Sequence, residues 1–216
     1  LNAKPLRHAD LFGREGRLEA LYRDLQDPAA VAVICHPHPV GGGTLHNKVV
    51  FRAARGLEAA NVATLRFNFR GTGASAGQHD NGEGEQQDVQ TAIDWCLKMH
   101  PGKKLIVGGF SFGAWVASRV ACELPIVDAV FLIGTPVNKY DFGYLRFCEK
   151  PMLFLHGTED EYGDVSKLET IVGTIRNAES VIVTGADHFF TKQLDVLEQT
   201  MRSWAEERLA APSSRA

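Results

Sequence analysis

A serine flanked by glycines two positions to either side, Gly109-Phe110-Ser111-Phe112-Gly113, stands between an apolar run, Leu105-Ile106-Val107-Gly108, and a helix-like stretch, Ala114 to Leu124. A strand that passes into a helix through so short a link must turn sharply, and the residue at the corner takes a strained backbone conformation. Residues two positions away must then be small, or their side chains collide with the turn. The strain lifts the serine hydroxyl clear of the sheet. The first turn of the helix sets backbone N–H groups and a positive dipole end beside it. The plain alternative is a glycine-rich turn holding an ordinary serine; the strand before and the helix after favour the strained corner, a nucleophile elbow.

A serine hydroxyl is a poor nucleophile without a base. In enzymes that use such an elbow, an acid and a histidine follow the serine in that order. Pro151 to Asp160 reads as a buried strand entering a polar loop, and Ser180 to Phe190 as another. The carboxyl ends of parallel strands share one edge, where ligand sites form. Ser111, Asp160 and His188 would meet there. His188 would take the proton of Ser111, and Asp160 would orient the imidazole and stabilise its charged form. Glu159, Glu161 and Asp164 are rivals for the acid; Asp160 is preferred because it lies four residues after His156, in an HGxxD spacing. Among the eight histidines, His8, His79 and His100 read as surface residues and His156 as a packing residue at a strand end. Only His188 follows serine and acid after a late strand.

A developing oxyanion needs two N–H donors aimed at one point. Phe112, next to the serine, is one. The other is expected from the loop His36-Pro37-His38-Pro39-Val40-Gly41-Gly42-Gly43, which follows the β-prone run Ala30 to Cys35. Pro37 and Pro39 carry no N–H, so the choice is His38 or Val40, with His38 preferred. His36 and His38 could also be read as a metal pair, but a third ligand, an HExxH or a CxxC is missing. No metal and no cofactor is expected. Gly71 to Gly77 lacks the ending of a phosphate loop. Asp80, Glu83, Glu85 and Asp88 read as charges opening a helix rather than as a calcium site.

These residues carry a resemblance. His36-Pro37-His38-Pro39 with Gly42-Gly43-Thr44 and Asn47-Lys48-Val49-Val50, Arg66-Phe67-Asn68-Phe69-Arg70-Gly71 with Gly73 and Ser75-Ala76-Gly77, Gly109 to Gly113, His156-Gly157-Thr158-Glu159-Asp160, and Asp187-His188-Phe189-Phe190 together resemble the α/β-hydrolase superfamily over nearly the whole chain. More narrowly the chain is similar to small, lidless bacterial serine hydrolases of the dienelactone-hydrolase-like and esterase branch. The resemblance implies Ser111, Asp160 and His188 as the triad and an oxyanion donor near His38. Dienelactone hydrolase proper uses a cysteine where Ser111 stands, so a dienelactone substrate is not implied.

The rest of the sequence fits an α/β fold, a mostly parallel twisted sheet with helices on both faces and no lid. Leu6 to Phe12 and Arg17 to Asp24 read as a hairpin. Strands follow at Val31–Cys35, Val62–Phe67, Lys104–Val107, Val127–Ile133, Met152–Leu155 and Val181–Val183. Helices are expected over Asn47–Ala60, Gly82–Met99, Val165–Ile175 and Thr191–Ala210. Residues 1–210 would form one domain and 211–216 a disordered tail. Only 17 residues, Gly134 to Lys150, lie where lids are inserted in this superfamily, which predicts an open, shallow site. Phe110, Phe142, Tyr144 and Phe189 are the candidate substrate wall, with Phe112 and Phe190 nearby.

Hydrophobic residues at 44% and charged residues at 23% of 216 suit a globular protein. A net charge of −3 without a basic stripe argues against nucleic acid, and no apolar run reaches transmembrane length, so no stable membrane association is expected. Cys35, Cys96, Cys122 and Cys148 are widely spaced and read as buried free thiols in a reducing compartment, with a cytoplasmic location. The expected partner is a small-molecule ester, and a homodimer is left open. The expected activity is carboxylesterase on small to mid-sized esters. The alternatives are a thioesterase or acyltransferase with the same triad, and a catalytically silent binding module.

Overall fold

The computed structural model describes residues 3–210, so the tail expected over 211–216 lies outside the described residues. The chain runs β1 (Ala3–Gly13), β2 (Gly16–Leu25), β3 (Ala30–Cys35), α1 (Lys48–Ala59), β4 (Val62–Phe67), α2 (Glu83–Met99), β5 (Lys104–Phe110), α3 (Phe112–Glu123), β6 (Ala129–Ile133), β7 (Met152–Glu159), α4 (Val165–Val172), β8 (Ala178–Asp187) and α5 (Leu194–Ala210). Short 3-10 turns cover Pro39–Gly41 and Gly143–Phe147. The strands form one eight-stranded sheet in the order β1-β2-β4-β3-β5-β6-β7-β8. β1 and β2 pair antiparallel and β2 joins β4 antiparallel; every pairing from β4 to β8 is parallel.

Alternation along each central strand divides the core between the two faces, as the period of two requires. In β3, Val31, Val33 and Cys35 face one layer, and Ala30, Ala32 and Ile34 face the other. The first layer is closed by α2, α3 and α4 through residues such as Val89, Val116 and Leu168. The second is closed by α1 and α5 through Val50, Leu57, Met201 and Trp204. Each fully buried Leu, Ile or Phe contributes roughly 1.5–3 kcal/mol, so two continuous layers hold the central strands rigid. That rigidity matters because β5, β7 and β8 present the candidate chemistry at their carboxyl ends.

Among the described residues, the segment from Gly134 to Lys150 contains only the 3-10 turn Gly143–Phe147, and no lid covers the sheet edge. No described helix is long and apolar enough to cross a membrane. The expectation of four free thiols is corrected: Cys122 and Cys148 are bonded, while Cys35 and Cys96 are free and buried. The bond joins the end of α3 to the residue just past the Gly143–Phe147 turn. It closes a separation of 26 residues that spacing alone did not flag.

Candidate active site

Ser111, Asp160 and His188 each stand one residue beyond a strand, after β5, β7 and β8 respectively. Their side chains meet. His188 Nδ1 lies 2.7 Å from Asp160 Oδ2, and His188 Nε2 lies 3.0 Å from Ser111 Oγ. A carboxylate only accepts, so Nδ1 carries the proton and Nε2 is left free to accept from the serine. The other oxygen of Asp160, Oδ1, accepts from the backbone N–H of Tyr162 at 2.9 Å. The aspartate side chain is fully enclosed, and both of its oxygens are engaged.

The strain at Ser111 is visible in its backbone, with φ at 57° and ψ at −123°. A non-glycine residue holds such a conformation only when its surroundings over-determine it. Here they do. A methyl group on Gly109 would lie 2.6 Å from the carbonyl carbon of Gly113. One on Gly113 would lie 2.4 Å from the carbonyl oxygen of His36. The turn is thus wedged against the end of β3, and the N–H of Ser111 is held by the carbonyl of Ile133 at 2.9 Å. Phe112 opens α3, where a helix leaves its first N–H groups unsatisfied. Among the described residues neither the N–H of Phe112 nor that of His38 finds an acceptor. The two residues are neighbours, with ring centroids 4.9 Å apart.

His36 is enclosed in the core, and both its nitrogens are used. Nδ1 lies 2.6 Å from the carbonyl of Pro37, and Nε2 accepts from the N–H of Phe69 at 3.0 Å. It pins the loop carrying His38 and has no lone pair left for a metal. Burial drives its pKa down to about 4 against the opposing bond to Pro37. His38 is also pushed below the usual histidine range, first by burial and then by His79 and Lys139. His156 is enclosed, as read from the sequence, but it lies within β7, which runs on to Glu159, and not at the strand end. Its Nε2 lies 2.7 Å from the carbonyl of Gly163, and Nδ1 faces Asp160 Oδ2 at 3.7 Å. It braces the loop that presents Asp160. His79 and His100, read as surface residues, are corrected. His79 is largely enclosed, with Nδ1 2.7 Å from the buried Glu85, and His100 packs against Tyr22. Burial opposes ionisation of Glu85, but backbone N–H groups of Asp80, Glu85 and Gly82 hold its pKa below the usual range.

A cleft of about 530 Å³ opens over Ser111. Its lining includes His38, Phe112, Phe189 and the glycines Gly41 to Gly43, as read from the sequence. It also includes Asn47, Pro136, Lys139, Tyr140 and Tyr162, which sequence reasoning missed. Tyr162 sits two residues after the acid, and its ring lies 4.5 Å from that of His188. An aromatic so close to the acid was the available signal.

Three candidate wall residues are placed elsewhere. Phe110 is fully buried beneath His188, with ring centroids 4.8 Å apart, so it supports that imidazole instead of lining the cleft. Phe142 is fully buried in the layer below α3. Tyr144 turns toward α3, where its hydroxyl lies 2.7 Å from Ser118 Oγ. From that segment Tyr140 reaches the cleft beside Pro136 and Lys139, and its ring stacks on Trp115 at 4.5 Å. A second groove, of about 540 Å³, lies over β7, β8 and α5; Ser203 is in its lining, with no histidine to serve as a base.

This strand order and lidless edge have relatives. The family described as "Alpha/beta hydrolase domain" matches residues 30–211. The chain is 36% identical over 203 residues to the uncharacterized protein RP471 of Rickettsia prowazekii (strain Madrid E), covering 89% of this chain and 85% of that protein. Among solved structures, XC6422 of Xanthomonas campestris, described as a member of a/b serine hydrolase without lid, superposes with a TM-score of 0.88. It is 31% identical, and the match covers 97% of each chain. An alpha-beta serine hydrolase homologue from Coxiella burnetii gives a TM-score of 0.86 at 32% identity, covering 91% of this chain and 96% of that one. The chain belongs to the alpha/beta hydrolase domain family.

Proposed function

We propose that this protein is a serine hydrolase that cleaves carboxylic esters through an acyl-enzyme on Ser111. The observation that carries the reading is the continuous hydrogen-bonded chain from Ser111 Oγ through His188 to Asp160. Ser111 Oγ attacks the ester carbonyl while its proton passes to His188 Nε2. Asp160 stabilises the imidazolium through Nδ1–H. The tetrahedral oxyanion accepts from the N–H groups of Phe112 and His38, the two neighbouring donors without acceptors of their own. Collapse breaks the bond to the alcohol, which leaves with the proton from His188. Water then attacks the acyl carbonyl as His188 takes its proton, and collapse breaks the bond to Ser111 Oγ, which takes the proton back from His188 as the acid leaves.

The cleft favours hydrolysis of small and mid-sized esters. With no lid among the described residues, water reaches the acyl-enzyme directly. The kinship with XC6422, described as a serine hydrolase, supports the class. The test is hydrolysis of p-nitrophenyl acetate, butyrate and octanoate by wild type and Ser111→Ala. Turnover should fall by roughly 10³-fold or more in the variant, as expected when a triad serine is lost, with short acyl chains preferred. Equal rates in both proteins on every ester would overturn the reading.

A further inference from the structure

The charge among the residues that line the cleft is one-sided. Lys139 lines it, no aspartate or glutamate does, and the chain as a whole carries a net charge of −3. The Lys139 ammonium lies 4.1 Å from the centroid of the Tyr162 ring, and that ring lies 4.5 Å from the imidazole of His188. One aromatic ring therefore separates a cation from the proposed base. Among the described residues no carboxylate pairs with it.

The backbone beneath Lys139 is fastened. Its N–H and that of Tyr140 both donate to the carbonyl of Pro136, at 2.9 Å and 3.1 Å, and the N–H of Asn138 donates to the carbonyl of Tyr162 at 3.2 Å. The turn carrying the lysine is thereby tied to the loop carrying Asp160. The field of the ammonium reaches His38, whose pKa it helps to lower after burial and His79, against the opposing pull of Glu85. A second lysine, Lys48, sits 5.8 Å from the Phe189 ring, but it donates to Thr191 Oγ1 and neighbours Asp187, so its charge is shared. A solvated lysine that rests on a tyrosine by chance would confer no selectivity. A fastened turn, an aromatic seat beside His188 and a lining without a carboxylate together say more.

We propose that Lys139 selects esters whose acyl group ends in a carboxylate, so that the preferred substrates are half-esters of dicarboxylic acids. This inference rests on the serine-hydrolase reading for its chemistry, but anion recognition is separable from turnover. Monomethyl adipate and methyl hexanoate differ mainly in the terminal charge, and proton release follows both. In wild type kcat/KM should favour the half-ester by roughly three- to tenfold, mostly through KM, as one partly solvated charge pair allows. The ratio should approach one in Lys139→Met, invert in Lys139→Glu, and shrink as salt rises to about 0.5 M. A parallel titration measures binding of monomethyl adipate to Ser111→Ala with and without Lys139→Met.

Hydrolysis of both esters with no preference, or a preference that survives Lys139→Met, would overturn the inference and leave the hydrolase reading standing. No hydrolysis, but binding of the half-ester that depends on Lys139, would remove the hydrolase reading and support anion recognition. Neither hydrolysis nor binding would overturn the inference as well.

Discussion

His36 shows how one enclosed side chain can tie a functional loop to the state of the solvent. Its neutral ring accepts from Phe69 and donates to Pro37, and the folded chain resists protonating it because burial lowers its pKa to about 4. The unfolded chain takes up that proton near the ordinary value of about 6.5. Between these two values the unfolded state binds more protons, so stability is present above the unfolded value and is lost as pH falls toward the folded one. The expected loss is about 2 kcal/mol between pH 7.5 and 5. Urea unfolding across that range should show it in wild type, with a shallower slope in His36→Gln. Identical slopes would remove His36 from the account. The sequence offered His36 and His38 as an alternating pair, and their separate duties were not legible there. Which histidine turns into the core depends on Phe69 and Pro37 meeting it, contacts that no local pattern encodes.

At the scale of elements, legibility followed burial. The strands read as short apolar runs, Met152–Leu155 and Val181–Val183, extend in the structure to Met152–Glu159 and Ala178–Asp187. Their added ends are polar and partly exposed, and they are held as strand by pairing of β7 with β8 out to Glu159 and Asp187. Hydrophobic pattern reports the buried part of a strand only. These extensions carry Asp160 and His188 to the sheet edge, so the part of each strand that matters most for the site was the part least visible. The elbow is the converse case. Its glycines are demanded by contacts with Cys35, His36 and the turn itself, and the same demand writes a readable motif. The disulfide between Cys122 and Cys148 left no such trace. It ties α3, the helix that follows Ser111, to the segment that carries Pro136, Lys139 and Tyr140. Closing 26 residues is expected to stabilise the fold by about 3.5 kcal/mol. Denaturant unfolding of wild type with and without reductant, beside the Cys122→Ser/Cys148→Ser variant, checks this. Unchanged midpoints would show that the bond is not formed in solution.

For the whole molecule, the fold class was legible because alternation of apolar runs and helical stretches allows few architectures. The strand order was not, since β4 lies between β2 and β3 and the pairings join residues far apart in sequence. The sheet brings three strand ends to one edge, and the helices on both faces keep that edge in place. Among the described residues nothing covers it, so the cleft over Ser111 meets solvent, with Tyr140, Tyr162 and Phe189 as its aromatic walls. The proposed activity requires that this edge activate Ser111 as a nucleophile. Reaction with a fluorophosphonate, followed by intact mass and peptide mapping, tests it without a known substrate. A single adduct on Ser111 is predicted, absent in Ser111→Ala and slowed by roughly 100-fold or more in His188→Ala, since the hydroxyl needs its base. No adduct, or one elsewhere that forms equally fast in Ser111→Ala, would contradict it.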